Sequence, residues 1–279
     1  MTFRILFVGM AALICFSGAA MGSPQRIVST NLCADQYLIA LADKSQIAGL
    51  TLYARDPLLS FYYERARGYP IVPSTAEAIL PLKPDLIVGN PMRRLQTRAL
   101  LKHFGFPILD IGTDQNFADI VAHTRLIAAA IGHPERGEAL IAAMRAALER
   151  IPEHSGGWVP VAVHYQRQGF VTGPGTLMDE MMRRAGLRNL ASQFGNAQLA
   201  RLDLESVVEA QPDYILFTND RRDIRDWGVA LLAHPVFRVL RSKYVYIPDR
   251  LTVCGGPSFP YAVAALARAV HGRMARNER

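Results

Sequence analysis

The sequence predicts an α/β protein of two Rossmann-like lobes, each built on a parallel sheet, joined by a long rigid α-helix with a ligand cleft between the lobes. Three observations lead there. Short runs that are almost wholly apolar, such as Leu86-Ile87-Val88 and Tyr214-Ile215-Leu216, alternate with helical stretches, the pattern of strands buried on both faces. The stretch STAEAILPLKPDLIVG (Ser74 to Gly89) is echoed by LDLESVVEAQPDYILFT (Leu202 to Thr218). Glu77 matches Glu205, Ile79 matches Val207 and Pro84-Asp85 matches Pro212-Asp213, all at one offset of 128 residues. That offset is too long for a solenoid repeat and suits a duplicated lobe. Between the copies, Asn116 to Pro152 reads as two helices broken at Gly132-His133-Pro134. Apolar residues recur there at helical spacing, and the second helix alone is long enough to connect two small domains.

Taken in order, the chain begins with Arg4, an apolar run from Ile5 to Phe16, and the small residues Ser17-Gly18-Ala19-Ala20. That is the pattern of a cleavable export signal, with an apolar run too short to span a bilayer. Ile14 before Cys15 fits no lipid-attachment site, and cleavage is expected near Gly22. The expected organisation is a signal over residues 1–22, an N-terminal lobe over 23–115, linking helices over 116–152 and a C-terminal lobe over 153–279.

The first lobe opens with a strand from Ile27 to Thr30 and a helix from Cys33 to Ala42. A strand from Ile47 to Leu50 follows, then a loop with Tyr53 and Arg55, then the repeated helix and strand. Pro81 should shorten that helix, because proline removes a helical donor and clashes with the preceding turn. A helix around Arg93 to Phe104 and a strand from Pro107 to Ile111 complete the lobe. In the link, Asn116 is placed to cap the first helix with Asp119 in its first turn, and Pro134 opens the second. The second lobe begins with a strand from Val159 to Tyr165, a loop from Gln166 to Gly175 and a helix from Thr176 to Ala185. After its copy of the repeat come a helix from Leu231 to Leu240, a strand from Tyr244 to Ile247 and a glycine-containing loop. A terminal helix starts at Ser258 to Pro260, and its polar tail is expected to fray.

The formal charge of +7 is scattered over many segments, with no basic run interleaved with aromatics, so nucleic acid is not expected as a partner. With Cys15 in the signal, Cys33 and Cys254 remain. Each ends up near a strand end, one per lobe, and two readings stand: a disulfide stapling the lobes, or two separate buried thiols.

In open α/β sheets ligands sit beyond the carboxyl ends of the strands. The loops there hold Asn31, Cys33, Tyr53, Arg55, Asn90, Arg93, Tyr165, Arg167, Phe170, Asn219, Arg221, Cys254 and Phe259. Aromatic faces with guanidinium groups suit a large, partly apolar ligand with anionic character. Any one of them taken alone is equally a solvated or half-packed loop residue. The rival class is an enzyme, since a two-lobed transferase shares this layout. The sequence carries no phosphate loop, nucleophile elbow, zinc-helix motif or dinucleotide fingerprint, so no catalytic residue and no cofactor are assigned. His164 within a strand reads as a packed or hydrogen-bonded core histidine, and the histidines lie mostly on helices and outside the cleft loops, which argues against a metal site or a free metal ion as cargo.

RIVSTNLCADQYLIALADKSQIAGL, EAILPLKPDLIVG, one linking helical segment and ESVVEAQPDYILF together resemble the periplasmic binding proteins for cobalamin and ferric siderophores. These are the helix-linked substrate-binding components of ABC importers. The resemblance covers nearly the whole chain after the signal. It implies two Rossmann-like lobes, a rigid connecting helix, a ligand clamped between the lobes, and delivery to a membrane permease with its ATPase, by a monomer in the periplasm. Tyr53 falls where the cobalamin-binding member has a ligand-contacting tyrosine. Asn90 and Leu199 stand where that member has tryptophans, so the expected cargo is an iron chelate or corrinoid-type compound rather than cobalamin in particular. Haem is the alternative, with Tyr53, Tyr62 or Tyr63 as an axial oxygen ligand. The resemblance also implies that Glu77 and Glu205 dock on permease arginines, whereas from the residues alone each is a first-turn glutamate complementing a helix dipole.

Overall fold

The computed structural model describes residues 22–152, 158–218, 234, 235, 240 and 242–277, with side chains to Val270. The expected export signal, the helix expected over Leu231 to Leu240, and Asn219 and Arg221 lie outside the described residues or almost so.

Near the N-terminus stands a four-stranded, all-parallel sheet made of β1 (Ile27–Ser29), β2 (Ile47–Gly49), β3 (Leu86–Gly89) and β4 (Ile108–Asp110), in the order β2-β1-β3-β4. Towards the C-terminus β5 (Val161–His164), β7 (Arg188–Asn189), β9 (Tyr214–Phe217) and β10 (Lys243–Tyr246) form a second parallel sheet in the order β7-β5-β9-β10. The two orders are the same topology. β3 and β9, the strands of the internal repeat, hold the same place in each sheet, and all four residues of each are buried.

The helices before these strands repeat as well. In α3 (Ala76–Ile79) the Thr75 hydroxyl accepts the N–H of Ala78, and in α8 (Leu204–Ala210) the Asp203 carboxylate accepts the N–H of Ser206. Lys83 and Gln211, again one repeat apart, both end these segments in the left-handed region, at φ 45° and 42°. Only the first copy contains Pro81. There the α-helix stops after four residues and tightens into a 3₁₀ turn over Leu80–Leu82, while α8 runs for seven. The remaining first-lobe helices are α1 (Leu32–Leu41), a single turn α2 (Tyr63–Ala66), and α4 (Leu95–His103).

The link is a helical hairpin, α5 (Phe117–Ala130) and α6 (Pro134–Glu149), turned at Ile131 to His133. Asn116 caps α5 by accepting the N–H of Asp119 at 3.0 Å. The helices approach so closely that a Cβ on Gly137 would lie 2.6 Å from the Cβ of Ala128. Ile127, Ala128 and Ile131 pack into the first lobe, whereas Phe117, Ile120 and Val121 join the core of the second. Ile141, Met144 and Leu148 of α6 also join that second core. At about 1.5 Å per residue α6 spans roughly 24 Å. Two packed helices therefore bridge the lobes.

In the second lobe α7 (Leu177–Arg184) lies between two short strands the sequence did not announce. β6 (Phe170–Thr172) and β8 (Leu199–Arg201) form a short antiparallel ribbon where only loop was expected. Three-residue strands carry too little alternation to read. The chain ends with a single turn α9 (Asp249–Thr252) and the long α10 (Phe259–Asn277), whose helix includes most of the tail that was expected to fray. Among the described residues no helix is long and apolar enough to cross a membrane.

Candidate functional site

A cleft of about 720 Å³ opens between the lobes, at the carboxyl ends of both sheets. Asn90 follows β3, Asp114 and Gln115 follow β4, His164 ends β5, Thr172 ends β6 and Thr218 follows β9, and all line it. Its wall also includes Cys33 and Cys254, which form a disulfide with Cα atoms 5.4 Å apart. Of the two readings left by the sequence, the staple between lobes is the one the structure takes.

The staple is part of a docked surface. Gly255 lies against the Asp114 carboxylate, where a Cβ would come within 2.3 Å of Oδ2. Gly256, at φ +81°, lies against the Tyr37 ring, where a Cβ would meet Cζ at 2.9 Å. Phe61 of the first lobe packs on Tyr261 of α10, ring centroids 5.1 Å apart. Elsewhere on the cleft wall Gln198 Nε2 donates to Gln115 Oε1 across the lobes at 3.0 Å.

Three groups set the electrostatics. Asp114 is buried, its Oδ1 2.6 Å from His123 Nδ1, and its Oδ2 accepts the Tyr37 hydroxyl at 3.2 Å. The hydrogen bond to Asp114 raises the pKa of His123, and burial, with Asp114 adding to it, pushes the Tyr37 phenol well up. Opposite, His164 is pushed down to about 4 by burial, so its imidazole is neutral at ordinary pH. Its Nδ1 lies 2.6 Å from Thr172 Oγ1, which also accepts Gln166 Nε2 at 2.6 Å, while its Nε2 is buried with no partner. Burial likewise raises the pKa of Asp249, against the opposing hydrogen bond of Thr218.

Of the residues singled out in the sequence, Cys33, Asn90 and Cys254 line this cleft. Asn31 caps α1, accepting the Ala34 N–H at 2.7 Å. Arg55 is turned onto its own loop, donating to the Tyr69 carbonyl at 2.7 Å. Tyr53 is half exposed, Arg93 and Arg167 are exposed, and Phe170 opens β6, all outside the lining. Tyr165 and Phe259 are interior: the Tyr165 hydroxyl donates to the Leu202 carbonyl at 3.1 Å, and Phe259 stacks on Phe117. Glu77 and Glu205 are exposed in the first turns of α3 and α8. Asp114, Gln115, Gln166, Thr218 and Asp249 enter the lining without having been singled out. All five follow strand ends, so the same rule that chose the others reached them. Thr172 and Gln198 arrive through the unread β6–β8 ribbon, and His164, though it borders the cleft, is buried and hydrogen-bonded to Thr172, the core position expected of it.

Two parallel-sheet lobes bridged by packed helices around such a cleft are an architecture for holding a ligand. The sequence pattern of the periplasmic binding protein family matches residues 27–246. The chain belongs to that family. Among periplasmic binding proteins of known structure it is similar to the apo form of the periplasmic heme-binding protein RhuT from Roseiflexus sp. RS-1, with a TM-score of 0.70 and 26% identity, covering 90% of this chain and 99% of that one. A possible iron-binding protein of Staphylococcus epidermidis shares the fold at a TM-score of 0.74 and 13% identity, covering 90% of this chain and all of the other. In sequence the chain is 24% identical to the cobalamin-binding protein of Halobacterium salinarum over 261 residues, 89% of this chain and 70% of that protein.

Proposed function

We propose that this periplasmic binding protein is the solute-binding component of an ABC importer, capturing a large iron chelate or corrinoid-type compound and delivering it to a permease with its ATPase. The observation that carries the reading is the interlobe cleft, placed where both sheets end and large enough to enclose much of such a ligand. The similarity to a cobalamin-binding protein and to heme-binding and iron-binding proteins supports the ligand class. Haem is the second reading, favoured by the likeness to RhuT. We place the lobes at residues 23–115 and 153–279, the link at 116–152, and an export signal over 1–22 that delivers a monomer to the periplasm. The protein performs no chemistry on its cargo in this reading.

Native mass spectrometry of protein purified from periplasm tests it by revealing a co-purifying ligand. Thermal-shift measurements with cobalamins, haem and ferric siderophores follow, since a compound that binds only the folded state raises Tm. Turnover of any bound compound, or no shift with any of the three classes, overturns the reading.

A further inference from the structure

A surface outside the cleft lining carries a pattern of its own. From Leu86 to Leu109 the sequence holds four arginines and lysines and no aspartate or glutamate. Arg98 is buried, and both ends of its guanidinium donate to the Asp110 carboxylate of β4, Nη2 at 2.8 Å. The other three, Arg93, Arg94 and Lys102, lie on α4 or in the turn before it. They are exposed and form no ion pair among the described residues. Apolar side chains stand among them. Met92 is 77% exposed, Leu95 60% and Phe104 57%, while the inner face of the helix packs through Leu101 into one cluster with Ala76 and Ile79 of α3. Exposed apolar groups gathered on one short element mark a contact surface.

Three cations without partners favour an anionic neighbour. Glu77, exposed on the adjoining α3, supplies one carboxylate against the three. An acidic protein face and an anionic bilayer both offer the charge, and the placing of the apolar groups separates them. A protein interface gathers its apolar anchors at the centre and leaves charge to the rim. On α4 the two kinds alternate along the chain: Met92, then Arg93 and Arg94, then Leu95, then Lys102, then Phe104. That interleaving suits the boundary between headgroups and acyl chains, where apolar side chains insert and long cationic ones reach back to the phosphates.

We propose that the outer face of α4, with the turn before it, docks on an anionic phospholipid surface. Arg93, Arg94 and Lys102 meet the phosphates, and Met92, Leu95 and Phe104 enter the apolar boundary beneath them. The contact is independent of what the cleft binds. It explains why Arg93, expected at the cleft, is exposed outside the lining instead.

Co-sedimentation of protein purified from periplasm with two kinds of vesicle tests this, one of phosphatidylcholine alone and one of phosphatidylglycerol with phosphatidylcholine. The protein should bind the anionic vesicles and not the neutral ones, and binding should fall as salt screens the charges. Arg93→Gln with Arg94→Gln and Lys102→Gln should weaken it on the order of a hundredfold, at about fivefold for each cation. Leu95→Ser with Phe104→Ser should weaken the binding that survives at high salt, where the apolar contact carries it. All five positions are exposed, so Tm should stay at the wild-type value. Should a variant fold poorly, the contrast between vesicles and the salt dependence of the wild type decide alone. No binding to the anionic vesicles, equal binding to both kinds, or a well-folded triple variant that binds like the wild type overturns the proposal. In those cases α4 faces solvent or an acidic protein surface, and the cargo reading of the cleft is untouched.

Discussion

Asp85 and Asp213, one repeat apart, make the same connection in the two lobes. Asp85 accepts the N–H groups of Gln25 and Arg26 at 2.6 and 2.9 Å, and its own N–H donates to the Arg26 carbonyl at 3.1 Å. Asp213 accepts the Val161 N–H at 2.8 Å and donates its N–H to the Val161 carbonyl at 2.9 Å. In each lobe the aspartate of the Pro-Asp turn ties the start of β3 or β9 to the start of the neighbouring first strand. The repeated dipeptide thus fixes parallel register at the sheet edge away from the cleft.

Asp85→Ala and Asp213→Ala should each cost about 1.5–3 kcal/mol, the range for a hydrogen bond to a charged group. The sites lie in separate lobes, so the double variant should be close to additive. Urea denaturation of the three variants checks this; a double variant no worse than either single one contradicts the parallel roles.

How much of this was legible follows from which interactions are local. Capping at Thr75, Asp203 and Asn116, the break at Pro81 and the alternation of apolar strands with helices depend on neighbours in sequence, and all were readable. The partners of charged side chains were not. Arg55 was expected at the cleft, yet the carbonyls of its own loop, at Ala66 and Tyr69, take its guanidinium. His164 read as core because it stands in an apolar strand, and it is indeed buried. Its hydrogen bond to Thr172 was not readable, because only the β6–β8 ribbon brings the two residues alongside. The disulfide was one of two open readings, since contact across 221 residues depends on tertiary docking.

That disulfide yields the second prediction. Cys33→Ala with Cys254→Ala should lower stability by about 2–4 kcal/mol, as expected for loss of a bridge closing a long loop. The wild type should lose a similar amount on adding reductant, and the double variant should not respond. Equal denaturation midpoints with and without reductant count against the staple. With the bridge intact the lobes have little freedom to close, so small-angle scattering should show no large compaction when a ligand binds.

A third prediction concerns pH. Asp35 is buried under bonds from the Thr51 N–H at 3.0 Å and the Thr51 hydroxyl, and burial raises its pKa to about 6. Between about 4 and 6 the folded chain holds a proton on Asp35 that the unfolded chain has lost, so this term stabilises on the acid side and fades as pH rises through 6. His164 has the opposite sign. Its folded pKa of about 4 lies below the ordinary 6.5, so the unfolded chain gains the proton first and stability falls as pH drops from 6.5 towards 4. The two terms oppose each other over the same window. Asp35→Asn removes only the first, so its Tm should fall more steeply than that of the wild type between pH 6.5 and 4. Parallel Tm profiles show that Asp35 titrates normally.

The last prediction concerns Glu77 and Glu205. Each is exposed in the first turn of its helix, two residues after its cap, and each complements the positive end of a short helix, a contribution of about 0.3–1 kcal/mol. That local role accounts for either glutamate alone. The duplicated topology adds that both occupy equivalent places in equivalent lobes, and the disulfide and bridging helices hold the lobes in one arrangement. Two carboxylates fixed in this way suit a permease with two-fold symmetry, one meeting each half, so that charge pairing sets orientation and register. Beside Glu205 the surface also has a depression of about 520 Å³ lined by Gln168, Arg201 and Asp203, with room for an inserted side chain. Glu77→Arg with Glu205→Arg should leave ligand affinity unchanged, because neither residue lines the cleft, and should lower Tm only slightly. In proteoliposomes carrying the partner permease and its ATPase, the variant should fail to stimulate ATP hydrolysis and fail to deliver ligand. Should transport proceed at the wild-type rate, the glutamates serve only their helices and docking must lie elsewhere on the two lobes.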